Sequence, residues 1–121
     1  MGRNNIAGAW GESVAAEYLK KKRYKLIAMN YKSRYGEIDL IVSNRQYLVF
    51  VEVKLRKSAN FANAFEHVGY HKQNRLRLTA KWYLTENPTR LQPRFDVVEV
   101  YAPDGYKTET PQINHMEAAF E

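Results

Sequence analysis

A chain of 121 residues without cysteine can bury roughly two-thirds of its unfolded surface, and it excludes both a disulfide framework and thiolate metal sites. Nineteen Lys and Arg against thirteen Asp and Glu leave a net charge of +6 and a pI near 9.5, a balance that favours a polyanionic partner such as nucleic acid. No apolar run reaches the ~18 residues of a membrane span and the first residues lack a signal-peptide core, so a cytoplasmic single domain over residues 1–121, with no membrane partner, is expected. From about Ile6 to Arg23 helix formers dominate, with Ile6, Trp10, Val14 and Tyr18 at four-residue intervals and KKKR at the end, which predicts a first helix. Tyr24 to Met29, Gly36 to Val42 and Gln46 to Lys54 are rich in apolar and β-branched residues and predict three strands, the last two joined by SNRQ into an antiparallel hairpin. The polar stretch LRKSANFANA reads as a loop. Helical spacing returns from about His71 to Glu86, with Leu76, Ala80, Tyr83 and Leu84 on the apolar side and Asn87 and Pro88 as the stop. RFDVVEVY, Arg94 to Tyr101, predicts a fourth strand, and the tail after PDG a short strand and a terminal helical turn. A helix crossing between the third and fourth strands makes them parallel, so the order αβββαβ implies an α/β domain with a mixed central β-sheet flanked by helices.

Asp39, Glu52 and Lys54 interrupt two of these strands with charge, although burying an unpaired charge costs several kcal/mol. Side chains alternate along a strand, so Leu48, Phe50, Glu52 and Lys54 share one face. A four-residue hairpin loop from Asn44 to Tyr47 would set Asp39 directly opposite Glu52. Two carboxylates about 4 Å apart repel by about 4 kcal/mol at an effective dielectric of 20, which one lysine relieves only in part. A divalent cation relieves it fully, and two carboxylates with the Val53 carbonyl are the hard oxygen donors that Mg²⁺ or Mn²⁺ takes alongside water and phosphate. Lys54 beside such an ion could orient a water or neutralise charge on a phosphate, the parts of phosphodiester hydrolysis. The same three residues also suit a structural ion-pair cluster at a sheet end, and spacing alone does not choose between the two.

GEIDLIV followed by FVEVKLR, with Asp39 separated by a hairpin from Glu52 and Lys54, resembles the PD-(D/E)XK nuclease superfamily and, within it, the archaeal Holliday-junction resolvases. AGAWGE, NYKSRYGEIDLI, KQNRLRLTAKWYL, RFDVVEV and INHMEAAF extend the likeness along nearly the whole chain to the YraN-type family of small bacterial endonuclease-like proteins. The resemblance implies a restriction-endonuclease-like core. It carries over Asp39, Glu52 and Lys54 as metal-binding acid, second acid and catalytic lysine, with Glu12 as a further metal-binding acid on the first helix. That helix directs Glu12 toward the side of Ala15, Ala16 and Leu19, although a first-turn Glu facing the helix dipole is the ordinary reading. A glycine common in the family's loop after the motif stands here as Ala62, after Phe61. The function so implied is a metal-dependent DNA endonuclease acting on branched or single-stranded substrates; a non-catalytic nucleic-acid-binding module is the alternative, with RNA, a homodimer and a protein partner left open.

Lys72 and Gln73 open the second helix, where the resemblance implies a polar residue facing the metal site or the scissile phosphate, and Lys72, Arg75 and Arg77, with Arg56 and Lys57 after the motif and Lys20, Lys21, Lys22 and Arg23 at the end of the first helix, suit a phosphate backbone. Tyr31, Tyr35, Phe61 and Tyr70 could stack on bases, although aromatics near a sheet more often enter the core. His67 and His71 have a zinc-compatible spacing without the rest of a zinc motif. His115 reads as isolated, and Asp96 as a structural partner of Arg94.

Overall fold

A computed structural model describes residues 6–57 and 68–121. Helix α1 spans Ile6–Lys21, strands β1, β2 and β3 span Lys25–Ser33, Gly36–Ser43 and Tyr47–Arg56, and helix α2 spans Tyr70–Glu86. Strand β4, Gln92–Tyr101, a 3₁₀ turn at Gly105–Lys107 and strand β5, Gln112–Phe120, complete the chain. Among the described residues the strands form one mixed sheet in the order β1-β2-β3-β4-β5, with β3 and β4 parallel and every other pair antiparallel. Neither described helix is long and apolar enough to cross a membrane.

Each face of the sheet is covered by one helix, as the alternation of its strands requires. Leu40, Val42, Val49, Val51, Val98 and Val100 pack under α1, and Ile41, Leu48, Phe50 and Val97 under α2. The inward stripe of α1 differs from the one its large residues predict: Gly11, Ala15, Ala16 and Leu19 are buried, Trp10, Val14 and Tyr18 flank them, and Ile6 is 64% exposed. Small side chains let the helix axis approach the sheet, and bulky ones seal its sides. On α2 the apolar side falls where the spacing puts it, with Leu76 and Ala80 buried and Tyr83 and Leu84 packed beside them. Gly36 starts β2 at φ 157, where a Cβ would meet the Thr79 hydroxyl at 3.3 Å, so glycine lets α2 lie directly over this strand.

The tail corrects the sequence expectation, because a full edge strand replaces the terminal helical turn. Phe120 stacks on Phe95 at 4.8 Å, and Ala118 bulges at φ 50 to hand its N–H to Asp96. Tertiary burial of Met116 and Phe120 outweighs the helical propensity of MEAAF. Strand β1 likewise runs to Ser33, four residues past its predicted end, because NYKS pairs with Gly36–Ile38 through a two-residue turn. Asp96, fully enclosed, receives Arg94 through two nitrogens at 2.8 Å, His115 Nε2 at 2.7 Å and the Ala118 N–H at 3.0 Å. Burial alone would raise its pKa, but these donors, His115 and Arg94 first, hold it below the usual carboxylate range. His115 is therefore not isolated: its side chain is 3% exposed and its Nδ1 lies 3.4 Å from the Tyr18 hydroxyl.

Asp96→Ala strips a carboxylate from three donors at once and is expected to cost about 3–5 kcal/mol in urea unfolding at pH 7. The native carboxyl titrates low, so its stabilisation is present above about pH 4 and is lost as acid carries the pH through its folded pKa. A loss under about 1 kcal/mol would contradict a structural role for Asp96.

Candidate active site

The β2–β3 hairpin sets the register of the site. Asn44 Oδ1 accepts the N–H groups of Gln46 and Tyr47 at 2.9 and 2.7 Å, fixing the turn, and Ser43 then pairs with Leu48. The ladder continues through Ile41 with Phe50 to Leu40 with Val51, and its next position is Asp39 with Glu52, as a loop from Asn44 to Tyr47 predicts. There the two strands part, while β3 stays paired with β4 through Arg56. The Val53 N–H, which would have served the ladder, instead reaches Asp39 Oδ2 at 2.8 Å. The Val53 carbonyl leaves the strand on the same edge as its N–H, toward this opening. Beside Asp39 on the outer strand, Asn30 adopts a left-handed φ of 52, and the alternation breaks in both strands at this point: Ala28 and Tyr31 on β1, like Ile38 and Ile41 on β2, lie three residues apart yet pack on the same side, under α2.

Charges converge on this opening from four elements, β2, β3, α1 and α2. Glu52 is 4% exposed and forms ion pairs with Lys54 at 3.6 Å and with Lys72, which the first turn of α2 brings over the sheet. Asp39 has the single backbone donor and two acidic neighbours. Burial pushes its carboxyl up, Glu52 and, more weakly, Glu12 push it further, and its pKa rises to about 7 despite the Val53 N–H and Lys72. Glu12 points from α1 toward the same region, where Asn30 Nδ2 donates to its Oε1 at 2.9 Å. The arrangement can hold a hard cation on oxygen donors and present two ammonium groups to an anion beside it.

Asp39, Glu52, Lys54 and Lys72 are thus brought together, and Val53 contributes backbone at the same point. The three-acid metal set expected from the resemblance is not gathered: among the described residues no group of three His, Asp or Glu is placed to enclose a metal, and Glu12 is hydrogen-bonded to Asn30. Several expected backbone-gripping residues are also committed elsewhere. Arg56 turns inward to the buried Glu99 at 3.2 Å, and Arg77 is held by Asn74, Gln73 and the Glu121 carbonyl. Gln73 donates to the Val68 carbonyl at 3.0 Å and so anchors the start of α2 rather than facing the acids. Arg75 and Lys57 remain exposed. Tyr31 packs edge-on against Tyr83 at 5.1 Å and belongs to the core, whereas Tyr70 is 69% exposed. Phe61, Ala62 and His67 lie outside the described residues. Sequence reasoning missed Asn30, although asparagine is among the non-glycine residues that most readily take a left-handed backbone.

Comparison with known proteins finds a match over residues 11–100 to the uncharacterised protein family UPF0102, a span holding Glu12, Asp39, Glu52, Lys54 and Lys72. A UPF0102 protein of Caldanaerobacter subterraneus subsp. tengcongensis is 44% identical over 114 residues, 93% of each chain. One of Syntrophomonas wolfei subsp. wolfei is 42% identical over 119 residues, 97% of this chain and 99% of its own. A third, from Rhodococcus opacus, is 41% identical over 121 residues, covering 99% of this chain and all of the relative. These names carry no activity.

The raised Asp39 has a measurable consequence. The folded protein keeps a proton that the unfolded chain releases near pH 4, so stability falls as pH rises from about 4 to about 7 and the penalty is complete above that. Asp39→Asn keeps an oxygen for the Val53 N–H and removes the penalty. It is expected to exceed the wild type by about 1–4 kcal/mol at pH 8 and to match it near pH 4. Equal differences at both pH values in urea titrations would show that Asp39 does not carry the strain.

Proposed function

We propose that this chain, which belongs to the uncharacterised protein family UPF0102, is a divalent-metal-dependent nuclease that hydrolyses phosphodiester bonds in nucleic acid, DNA first, on a restriction-endonuclease-like core. The observation that carries the reading is the opposition of Asp39 and Glu52 where β2 and β3 part, with Lys54 and Lys72 on Glu52. The donor set fits Mg²⁺ or Mn²⁺: two carboxylates and the Val53 carbonyl are hard oxygen ligands, and so open a set leaves positions for water and phosphate. The likeness of GEIDLIV and FVEVKLR to the PD-(D/E)XK superfamily supports the same assignment.

Bound metal would polarise the scissile phosphate and acidify a coordinated water. The chain's own residues do the rest. Asp39, aligned by the Val53 N–H, and Glu52 hold their oxygens toward the opening. The Lys54 ammonium, kept 3.6 Å from Glu52 Oε2 on the same face of β3, is placed to orient the attacking water. Lys72, 39% exposed at its side chain, reaches the site from α2 and meets negative charge as it develops on the phosphate. Asn30 fixes Glu12 close enough to raise Asp39 without entering the ligand set.

A second reading, a nucleic-acid-binding module without catalysis, draws on the fact that Lys54 and Lys72 already compensate Glu52. One experiment separates them: duplex, single-stranded, flap, four-way-junction and structured RNA substrates are incubated with Mg²⁺, Mn²⁺ or chelator, comparing wild type with Glu52→Gln. Metal-dependent cutting that falls at least ~10³-fold in the variant is expected, along with a Mg²⁺-dependent rise in Tm that the variant loses. Binding without cutting by the wild type, and no metal effect on Tm, would transfer the assignment to the binding module.

A further inference from the structure

At the far end of the β2–β3 hairpin from Asp39 and Glu52, the end of α1 and the start of β1 meet the hairpin turn around an open cleft of about 630 Å³. Lys22, Arg23, Lys25 and Arg45 line it, with the Asn44 and Gln46 amides and the Ser43 hydroxyl between them, and no acidic or apolar side chain is among its lining residues. Four cations in one recess repel each other, and folding alone gains nothing from gathering them. Lys22 is shared with Tyr18, His115 and, at 3.9 Å, Glu117. Among the described residues Arg23, Lys25 and Arg45 have no acidic partner.

The backbone presents these groups deliberately. The Tyr24 N–H bonds the Leu19 carbonyl at 3.0 Å and closes α1 with Arg23 at φ 73, the left-handed position where helices prefer glycine. An arginine kept at a glycine position points to a use for its side chain. Across the cleft, Asn44 clamps the Gln46 and Tyr47 N–H groups and so holds Arg45 on a fixed turn.

We infer that this cleft binds the phosphodiester backbone of a nucleic acid, as a second contact remote from the reacting centre. Arg, Lys and side-chain amide and hydroxyl donors are the groups that position phosphates. An anionic membrane surface would call for apolar side chains beside the cations, which the lining lacks. The four steps from Asp39 to Ser43 span about 13 Å of extended strand, the length of about four nucleotides, so one substrate reaches both places. The inference rests on the nucleic-acid part of the proposal above and not on catalysis.

The test is fluorescence anisotropy with a labelled 20-base-pair duplex over a KCl series, in chelator, for the wild type, Arg23→Gly and the triple variant Arg23→Gln/Lys25→Gln/Arg45→Gln. The triple variant is expected to bind more weakly, with its log K against log salt slope shallower by about two to three, since each lost phosphate contact removes about 0.9. Arg23→Gly is expected to weaken binding while Tm stays level or rises, which separates a ligand-binding arginine from a structural one. An unchanged slope in the triple variant overturns the inference whether or not the protein cuts, as does wild-type binding only to anionic phospholipid vesicles, or to nothing. A shallower slope in a protein that never cuts upholds the cleft and defeats the catalytic reading alone.

Discussion

The parting of β2 from β3 after the Leu40–Val51 pair is the feature on which the rest of the site depends. An antiparallel ladder that continued would use the Val53 N–H and carbonyl for pairing and close the gap between Asp39 and Glu52. Since β3 is held on its other side by ten consecutive positions with β4, β2 is the strand that turns away. The exposed Val53 N–H is then satisfied by the Asp39 carboxylate, so a backbone donor without a strand partner becomes the device that aims an acid. The left-handed Asn30 beside it lets β1 follow the bend and fastens Glu12 in passing.

Two aspartates with restricted access to water, Asp39 and Asp96, have opposite fates. Asp96 collects two guanidinium nitrogens, an imidazole and a backbone N–H, and its carboxyl stays below the normal range although burial opposes this. Asp39 collects one N–H and faces Glu52 and Glu12, and rises to about 7. The difference lies in the balance of donors against acids, not in burial, and it distinguishes a carboxylate that ties β4 to β5 from one held in tension. Such tension within reach of two lysines is the physical basis of the proposal that Asp39 and Glu52 hold a metal.

The basic residues divide in the same way. Arg56, Arg77 and Arg94 are spent on Glu99, the chain end and Asp96. Two groups of cations gather at specific places, the lysines beside Glu52 and the cations around the hairpin turn, while others such as Arg75 and Lys57 stand exposed elsewhere. A net charge of +6 therefore says less about binding than the gathering of these groups at the two ends of one hairpin does.

The sequence by itself determined the elements up to β4, the parallel pairing of β3 with β4 and the β2–β3 register that leads to Asp39 and Glu52, because two-residue alternation and a short turn leave little freedom in register. It also marked Asp39, Glu52 and Lys54 as charges out of place. Tertiary structure alone decided that MEAAF becomes an edge strand, that Gly11, Ala15 and Ala16 rather than Ile6 face the sheet, and that His115 meets Asp96. It also turned Arg56 inward to Glu99 and carried Lys72 to Glu52. Each of those outcomes depends on contacts between residues distant in the chain, whose free energy of burial and pairing exceeds the local preferences that a sequence displays.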